Sequence, residues 1–337
     1  SIRLTRTVEA IMMRRLNVNF WQGNVLHIPF PDNTFNFVYN EGVCLLPDTK
    51  IITSSGIKKI EDVQEGEMVL THRGRFRKVT KTFARVYNGE LLKVSVHGSL
   101  EPIQITPDHP VLQISNYKDG RCILHWKKIG GLTGTEFLTM PIIKDEEWQE
   151  YYDATWMVKV GNRWGRPPSA KRIWSKRLPI NEALMTIAGY YLAEGFLVRQ
   201  RKHPAPFDRV QFGFGKNLNE FFYAAEVLAK AKDLGVHGRL EITRKGCVRV
   251  TLYSRALAIF LEKEFGRYSW GKRIPTWVMR LPHEITEPLL QAYLNGDGYT
   301  VKGSTIRRAH TVSFGLAYGI KLLGNKLCYN CSVFQFS

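Results

Sequence analysis

The sequence lacks any apolar run long enough to span a membrane, and its first residues are rich in arginine instead of forming a signal-like apolar core. The 337 residues include only five cysteines, an odd number that argues against a disulfide framework. Cys328 and Cys331 have C-x-x-C spacing, but no second pair stands at zinc-site spacing, so we expect them to pack in a core. These absences predict a cytoplasmic protein without a membrane partner.

Acidic residues are also scarce. The chain has 30 Asp and Glu against 48 Lys and Arg, a formal net charge of +18. Such an excess favours a polyanionic partner, most simply double-stranded DNA, over a merely solvated basic surface. Residues 145–180 are rich in lysine and arginine, with tryptophans between them. The segment is either a basic linker or a DNA-contacting arm, with phosphate contacts from Arg163, Arg166, Arg172 and Lys176.

A thiol, a hydroxyl and an imidazole stand out in the first half of the chain. Cys44 opens a new compositional regime, and Thr106 and His109 follow within the stretch Thr-Pro-Asp-His. These groups suit chemistry on a peptide bond, in which the thiol attacks, the imidazole handles the proton and the hydroxyl positions the carbonyl. The alternative is a buried cysteine and an unrelated surface turn.

Residues 44 to about 142 predict a compact all-β fold, because short β-prone runs alternate with polar turns. The expected strands are 51–53, 56–60, 68–71, 77–81, 91–96, 102–106, 111–114 and 137–140. Cys44 with LLPDTKI, then GIKKIEDVQEGEMVL and TPDHPVL, resembles the N-terminal part of a Hint-class intein splicing domain, over 44–144. The resemblance implies that Cys44 converts the Val43–Cys44 amide to a thioester. It also implies that His109 donates a proton to the departing nitrogen and that Thr106 positions the group.

Residues 1–43 resemble a later part of class I S-adenosylmethionine-dependent methyltransferases through the stretch PFPDNTFNFV. The Gly-rich cofactor loop of that family is absent, and so short a segment cannot build a doubly wound sheet. We therefore expect an N-extein fragment without methyltransferase activity.

Residues 181–337 predict an α+β domain that contains an internal repeat, with Thr286 expected to open the second of the two repeated helices. IAGYYLAEG (187–195) and LQAYLNGDG (290–298) align without gaps, so Glu194 falls on Asp297. Small residues in the middle of each helix allow close packing, which would bring the two carboxylates together. Two carboxylates held that close repel unless a cation such as Mg²⁺ lies between them. Two unrelated capped helices are the plainer interpretation.

The repeat resembles the two-motif, monomeric form of the LAGLIDADG homing endonucleases. The resemblance implies two pseudo-symmetric halves, strands that bind duplex DNA, and Glu194 and Asp297 as catalytic acids that bind Mg²⁺. A lysine often assists in this family, and Lys272 and Lys302 are the candidates that the sequence does not separate. The basic loop after the first motif supplies expected DNA contacts at Arg199, Arg201 and Lys202.

The end of an intein is not found. A His-Asn pair followed by Cys, Ser or Thr is expected, yet the chain ends at Phe334–Ser337, and Asn330-Cys331 is preceded by Tyr329. We therefore expect a C-terminally truncated intein. Two alternatives are a self-processing β domain whose insert binds nucleic acid without cutting it, and a defective methyltransferase with a structural insert.

Overall fold

The computed structural model describes residues 45–99, 101–118, 121–134, 136–144, 149–153, 177–199 and 207–334, with the backbone alone at 115–118, 121, 122 and 177. The chain divides into two compact units, Ser1–Gly42 and Val43–Ser337, and all described residues belong to the second. Several predicted features lie outside the described residues: the methyltransferase-like segment, Cys44, and the basic residues Arg163, Arg166, Arg172, Lys176, Arg201 and Lys202.

The first part of this unit consists of short antiparallel strands, which confirms the all-β prediction for the described residues. The strands are β1 (Lys50–Thr53), β2 (Gly56–Lys59), β3 (Met68–Leu70), β4 (Phe76–Lys78), β5 (Leu92–Val94), β6 (Ile103–Ile105), β7 (Pro110–Lys118), β8 (Arg121–Lys128) and β9 (Phe137–Leu138). They form three sheets with the orders β2-β1-β3-β4, β5-β6 and β8-β7-β9. Strand β8 was not predicted from the sequence, although an Asp-Gly turn signal precedes it.

The second part begins with a strand pair, β10 (Tyr151–Asp153) and β11 (Arg177–Pro179). These strands flank the predicted basic segment and belong to the fold, because Leu178 is fully buried and Tyr152 packs on Phe260 and Trp277. The interpretation of 145–180 as a basic linker or a DNA-contacting arm stays a prediction, and this strand pair lies at its two ends.

The remaining elements are helices and short strands in mixed order. They are α1 (Glu182–Glu194), β12 (Gly195–Val198), β13 (Arg209–Phe214), α2 (Leu218–Asp233), β14 (Gly238–Ile242), β15 (Val248–Leu252), α3 (Arg255–Phe265), α4 (Tyr268–Gly271), α5 (His283–Asp297), β16 (Gly298–Thr300), β17 (Arg307–Ala309) and α6 (Phe314–Lys326). Side-chain oxygens cap four of the described helices: Asn181, Asn217, Ser254 and Ser313 accept from the backbone N–H of Leu184, Glu220, Leu257 and Leu316.

An antiparallel sheet of order β12-β13-β15-β14 supports the helices. Val210, Phe212 and Phe214 alternate along β13 and bury one face of this sheet against the helical layer. The prediction for α5 was wrong at its start: the helix begins at His283, whereas Thr286 was expected to open it. The Thr286 hydroxyl bonds back to the carbonyls of Pro282 and His283, each at 3.2 Å, so this threonine lies inside the helix.

The β part and the helical part touch at defined points. Lys321 of α6 is buried and donates from Nζ to the Gly98 carbonyl at 2.5 Å. The Arg280 guanidinium lies 5.5 Å from the centroid of the buried Phe76 ring. Among the helices that the structure describes, none has both the length and the apolarity required to cross a bilayer.

Candidate functional site

Helices α1 and α5 pack against each other through glycine and alanine. A Cβ added to Gly189 would stand 2.7 Å from the Ala292 Cβ and would clash with the Leu289 carbonyl. A Cβ added to Gly296 would stand 2.5 Å from the Ala193 Cβ. Because the sequence repeat places Gly189 on Ala292 and Ala193 on Gly296, the same two contacts recur with the helices exchanged. The crossing therefore has local twofold symmetry.

The two acids stand at equivalent ends of the crossed helices. Glu194 is the last residue of α1, Asp297 is the last residue of α5, and each helix leads directly into a strand. Gly195 and Gly298 make these junctions in extended conformation, where an added Cβ would clash with the preceding helical turn. A carboxylate at a helix C-terminus faces the negative end of the helix dipole, which does not stabilise the helix.

Lys272 joins the acids from a different part of the chain. Its side chain is buried, and Nζ donates to the Leu192 carbonyl in the last turn of α1 at 3.0 Å. Nζ also lies 5.3 Å from the centroid of the Tyr191 ring. Lys302, the other candidate, is exposed. The structure thus brings Glu194, Asp297 and Lys272 together and leaves Lys302 in solvent.

The three groups perturb one another's protonation. Burial, followed by repulsion from Asp297 and Glu220, raises the pKa of Glu194 to about 7, although Lys272 opposes this change. Burial also raises the pKa of Asp297, again against Lys272. Burial lowers the pKa of Lys272 to about 8, and the attraction of Asp297 and Glu194 limits this fall. At neutral pH the carboxylate pair therefore carries less negative charge than two isolated acids.

This charge pattern fits a divalent cation as an additional partner. Carboxylate oxygens are ligands that Mg²⁺ prefers, and a bound cation would oppose the burial and the repulsion from Asp297 that raise the pKa of Glu194. Over the described residues, no group of three or more His, Cys, Asp or Glu side chains could hold a metal ion. The pair could therefore hold a metal only together with water or substrate oxygens, which is how Mg²⁺ is usually bound at phosphate-transfer sites.

Sequence reasoning missed supporting residues around the pair. Tyr190 follows Gly189 as Tyr293 follows Ala292, and both rings are buried in the crossing. The Tyr190 hydroxyl donates to Glu226 Oε2 at 2.6 Å, while the Tyr191 hydroxyl donates to the Gly266 carbonyl at 2.5 Å. Because Tyr190 and Tyr293 occupy aligned positions of the repeat, the sequence could have indicated that both are buried. Nothing local in the sequence indicates the Tyr191 contact.

A second candidate site lies in the β part. Thr106 is buried, and the His109 N–H donates to the Thr106 carbonyl at 3.0 Å, which closes the turn between them. His109 Nδ1 is buried without a hydrogen-bond partner among the described residues, and burial lowers the pKa of this imidazole. Leu45 pairs with Ile105, so the residue after Cys44 lies beside the residue before Thr106.

Residues 43–114 match a family model described as the Hint domain. The chain is 28% identical over 333 residues to the ATP-dependent DNA helicase Hel308 of Thermococcus kodakarensis, covering 86% of this chain and 28% of the helicase. It is 27% identical over 312 residues to an uncharacterized protein of Methanocaldococcus jannaschii, covering 82% of this chain and 37% of the relative. It is 26% identical over 310 residues to an iron-sulfur cluster assembly SufBD family protein of Mycobacterium tuberculosis, covering 88% and 34%.

The chain thus spans about a third of the length of these curated relatives. Among solved structures, the homing endonuclease I-WcaI bound to its DNA recognition sequence aligns with a TM-score of 0.32 and 16% identity, covering 52% of this chain and 77% of that one. The match to the family model supports a Hint domain over residues 43–114, and the extent of the splicing domain to residue 144 stays a prediction.

Proposed function

We propose that the chain is an intein-type element in which a Hint domain rearranges its own peptide bond and a LAGLIDADG-type domain cleaves double-stranded DNA with Mg²⁺. The observation that carries the nuclease assignment is the position of Glu194 and Asp297. Two acids end two crossed helices related by local symmetry, although neither helix gains from an acid at that end. Among the described residues, Lys272 is the cation that opposes the raised pKa of both acids, and a carboxylate pair that costs stability in this way is typical of a functional site.

We assign the roles as part of this proposal. Glu194 and Asp297 would hold Mg²⁺, and each acid would serve one strand of the duplex. A cation bound there would supply charge stabilisation for phosphodiester hydrolysis. Lys272 is held on the Leu192 carbonyl at the end of α1, where it partly neutralises the pair and provides a cation near the phosphate. The small residues of the crossing set the spacing between the two acids.

The relatives support an element that moves between host proteins. A helicase and an iron-sulfur assembly protein have unrelated names, yet each matches more than four fifths of this chain. In each of them the matching region is only about a third of the whole protein. An insert shared by otherwise different proteins accounts for this pattern. In the β part, Cys44 attacks the Val43 carbonyl, His109 protonates the departing nitrogen and Thr106 positions the bond.

The partner is double-stranded DNA. The net charge of +18 favours a polyanion, and Arg199, exposed at the end of β12, stands next to the strand that follows Glu194. Arg201 and Lys202 continue this basic loop, and Arg163, Arg166, Arg172 and Lys176 supply further phosphate contacts. One chain contains both acids, so we propose that a monomer cleaves both strands.

The proposal is tested by neutralising each acid. A randomised plasmid library incubated with the protein and Mg²⁺ supplies a cleaved target. On that target, Glu194→Gln and Asp297→Asn should each reduce cleavage by several orders of magnitude and leave DNA binding nearly intact. Glu284→Gln, which removes an exposed acid from the other end of α5, serves as the matched control and should cleave normally. Cleavage that is indifferent to both changes would exclude the nuclease assignment.

The alternative insert, which binds DNA without cutting it, predicts a different result. In that case the wild type does not cleave DNA, so the two substitutions have no cleavage to reduce. Only charge reversal on the basic loop should weaken DNA binding. Methyl transfer would require the cofactor loop that residues 1–43 do not contain.

A further inference from the structure

The short helix α4, between α3 and α5, displays two aromatic side chains that the carboxylate chemistry does not use. Tyr268 and Trp270, here called the aromatic shelf, are 56% and 71% exposed. Their ring centroids are 5.6 Å apart and their planes differ by 21°, so the rings are stacked on each other. Tyr268 has a φ of 58°, a left-handed conformation that a bulky residue rarely adopts without support from its surroundings.

The backbone under the shelf is anchored at several points. The Tyr191 hydroxyl donates to the Gly266 carbonyl at 2.5 Å, and the Arg273 N–H donates to the Phe265 carbonyl at 2.9 Å, which closes the loop. Lys272, two residues after Trp270, reaches the Leu192 carbonyl. Exposed rings on such a fixed base have little conformational entropy to lose on binding.

One arginine packs on the shelf, and a second is linked to it through Phe207. The Arg267 guanidinium carbon lies 5.0 Å from the Tyr268 ring centroid and 5.8 Å from the Phe207 ring centroid. The Arg199 guanidinium carbon lies 5.3 Å from the same Phe207 ring. Rings and guanidinium groups therefore form one continuous cluster from the end of β12 to Trp270.

We propose that the aromatic shelf stacks on an unpaired nucleobase of the DNA, beside the strand that the carboxylate pair cleaves. Every base has a flat π face, and a planar ring flanked by arginines binds that face and the neighbouring phosphates together. Within a duplex both faces of a base are covered, so the shelf requires a base that is unstacked at a kink, a gap or an end. Lys272, two residues after Trp270, reaches the last turn of α1, the helix that ends at Glu194. The location rests on the proposed function.

Binding in EDTA tests the shelf separately from cleavage. The probes are a short fluorescein-labelled duplex and the same duplex with a central single-stranded gap of thymidines. We expect the wild type to bind the gapped probe more tightly than the paired one. Trp270→Ala should weaken binding to the gapped probe by about 5- to 150-fold, the usual effect of removing one base–aromatic stack, with less than about a twofold effect on the paired probe.

Two variants make the result specific. Trp270→Phe keeps a flat ring and should restore most of the preference for the gapped probe. Trp126→Ala removes an exposed tryptophan from β8, which is 54% exposed and far along the chain from the shelf, and should affect neither probe. Equal losses on both probes, or no loss with Trp270→Ala, would overturn the proposal. Either outcome leaves the nuclease assignment standing, because that assignment depends on the cleavage by the Glu194 and Asp297 variants.

Discussion

Neutralising Glu194 should stabilise the metal-free protein, and the gain should depend on pH. The pKa of this carboxyl is raised from 4.5 to about 7, first by burial and then by Asp297. In the unfolded chain the Glu194 carboxyl loses its proton near the ordinary glutamate pKa, whereas in the folded protein it keeps this proton up to about pH 7. Unfolding therefore releases a proton between these values, and the stability of the wild type falls as the pH rises through this interval.

The size of the effect follows from the same pKa. A tenfold change in a binding constant corresponds to about 1.4 kcal/mol, so the difference between 4.5 and about 7 sets a ceiling of about 3 kcal/mol above both values. Because Glu194 is only partly buried, solvent screening reduces this ceiling, and we expect Glu194→Gln to raise the free energy of unfolding by about 1–3 kcal/mol at pH 8. At pH 4 the Glu194 carboxyl is mostly protonated in both the folded and the unfolded wild type, so the stability gained by Glu194→Gln should nearly vanish.

Urea denaturation in EDTA at pH 4 and pH 8 measures this gain for Glu194→Gln against wild type. Glu284→Gln is the control, because Glu284 is exposed in the first turn of α5. An acid at that end of a helix is favourable, so the control should lose up to about 1 kcal/mol at pH 8. If Glu194→Gln is destabilised at pH 8, or equally stabilised at both pH values, the account of a repelled carboxylate is wrong.

Two further predictions concern the helix crossing and the Hint domain. Gly189→Ala should lower the free energy of unfolding by about 1–3 kcal/mol and abolish nearly all cleavage, because the added Cβ would push α1 and α5 apart. Gly315→Ala in α6 is the control: its added Cβ would have no neighbouring atom nearer than 3.5 Å, so stability should stay the same or rise. Denaturation and cleavage assays measure both effects. In the Hint domain, dithiothreitol should cleave the Val43–Cys44 bond, and His109→Ala should slow this by about 10²–10⁴-fold while Cys44→Ala abolishes it, as mass spectrometry would measure. Cleavage of the Cys44→Ala protein at the wild-type rate would contradict a thioester.

The sequence was most informative where the information is local or repeated. Both motif helices end at the predicted acids, because the small residues that allow the crossing and the glycines that turn each helix into a strand stand at fixed spacing from Glu194 and Asp297. The hairpin of β1 and β2 was predicted for a similar reason: Thr53, Ser55 and Gly56 close its turn with their own side-chain and backbone bonds.

Features that depend on distant contacts were not predictable. Lys272 and Lys302 look alike in the sequence, and only the anchored loop that buries Lys272 against α1 distinguishes them. The start of α5 was misplaced because Thr286 resembles a cap, while its hydroxyl actually bonds within the first turns of a longer helix. Strand β8 gains its regular structure from pairing with β7 along most of its length.

The most direct test of the central claim is whether Glu194 and Asp297 bind a divalent cation together. Free Mn²⁺, measured by electron paramagnetic resonance during titration of the protein in the presence of its cleaved target DNA, gives the affinity without depending on turnover. The account predicts that Glu194→Gln and Asp297→Asn each weaken binding at least about tenfold, as expected on losing a charged ligand, and that Glu284→Gln binds as the wild type does. Wild-type affinity in both acid variants would contradict the claim that this pair is a metal site.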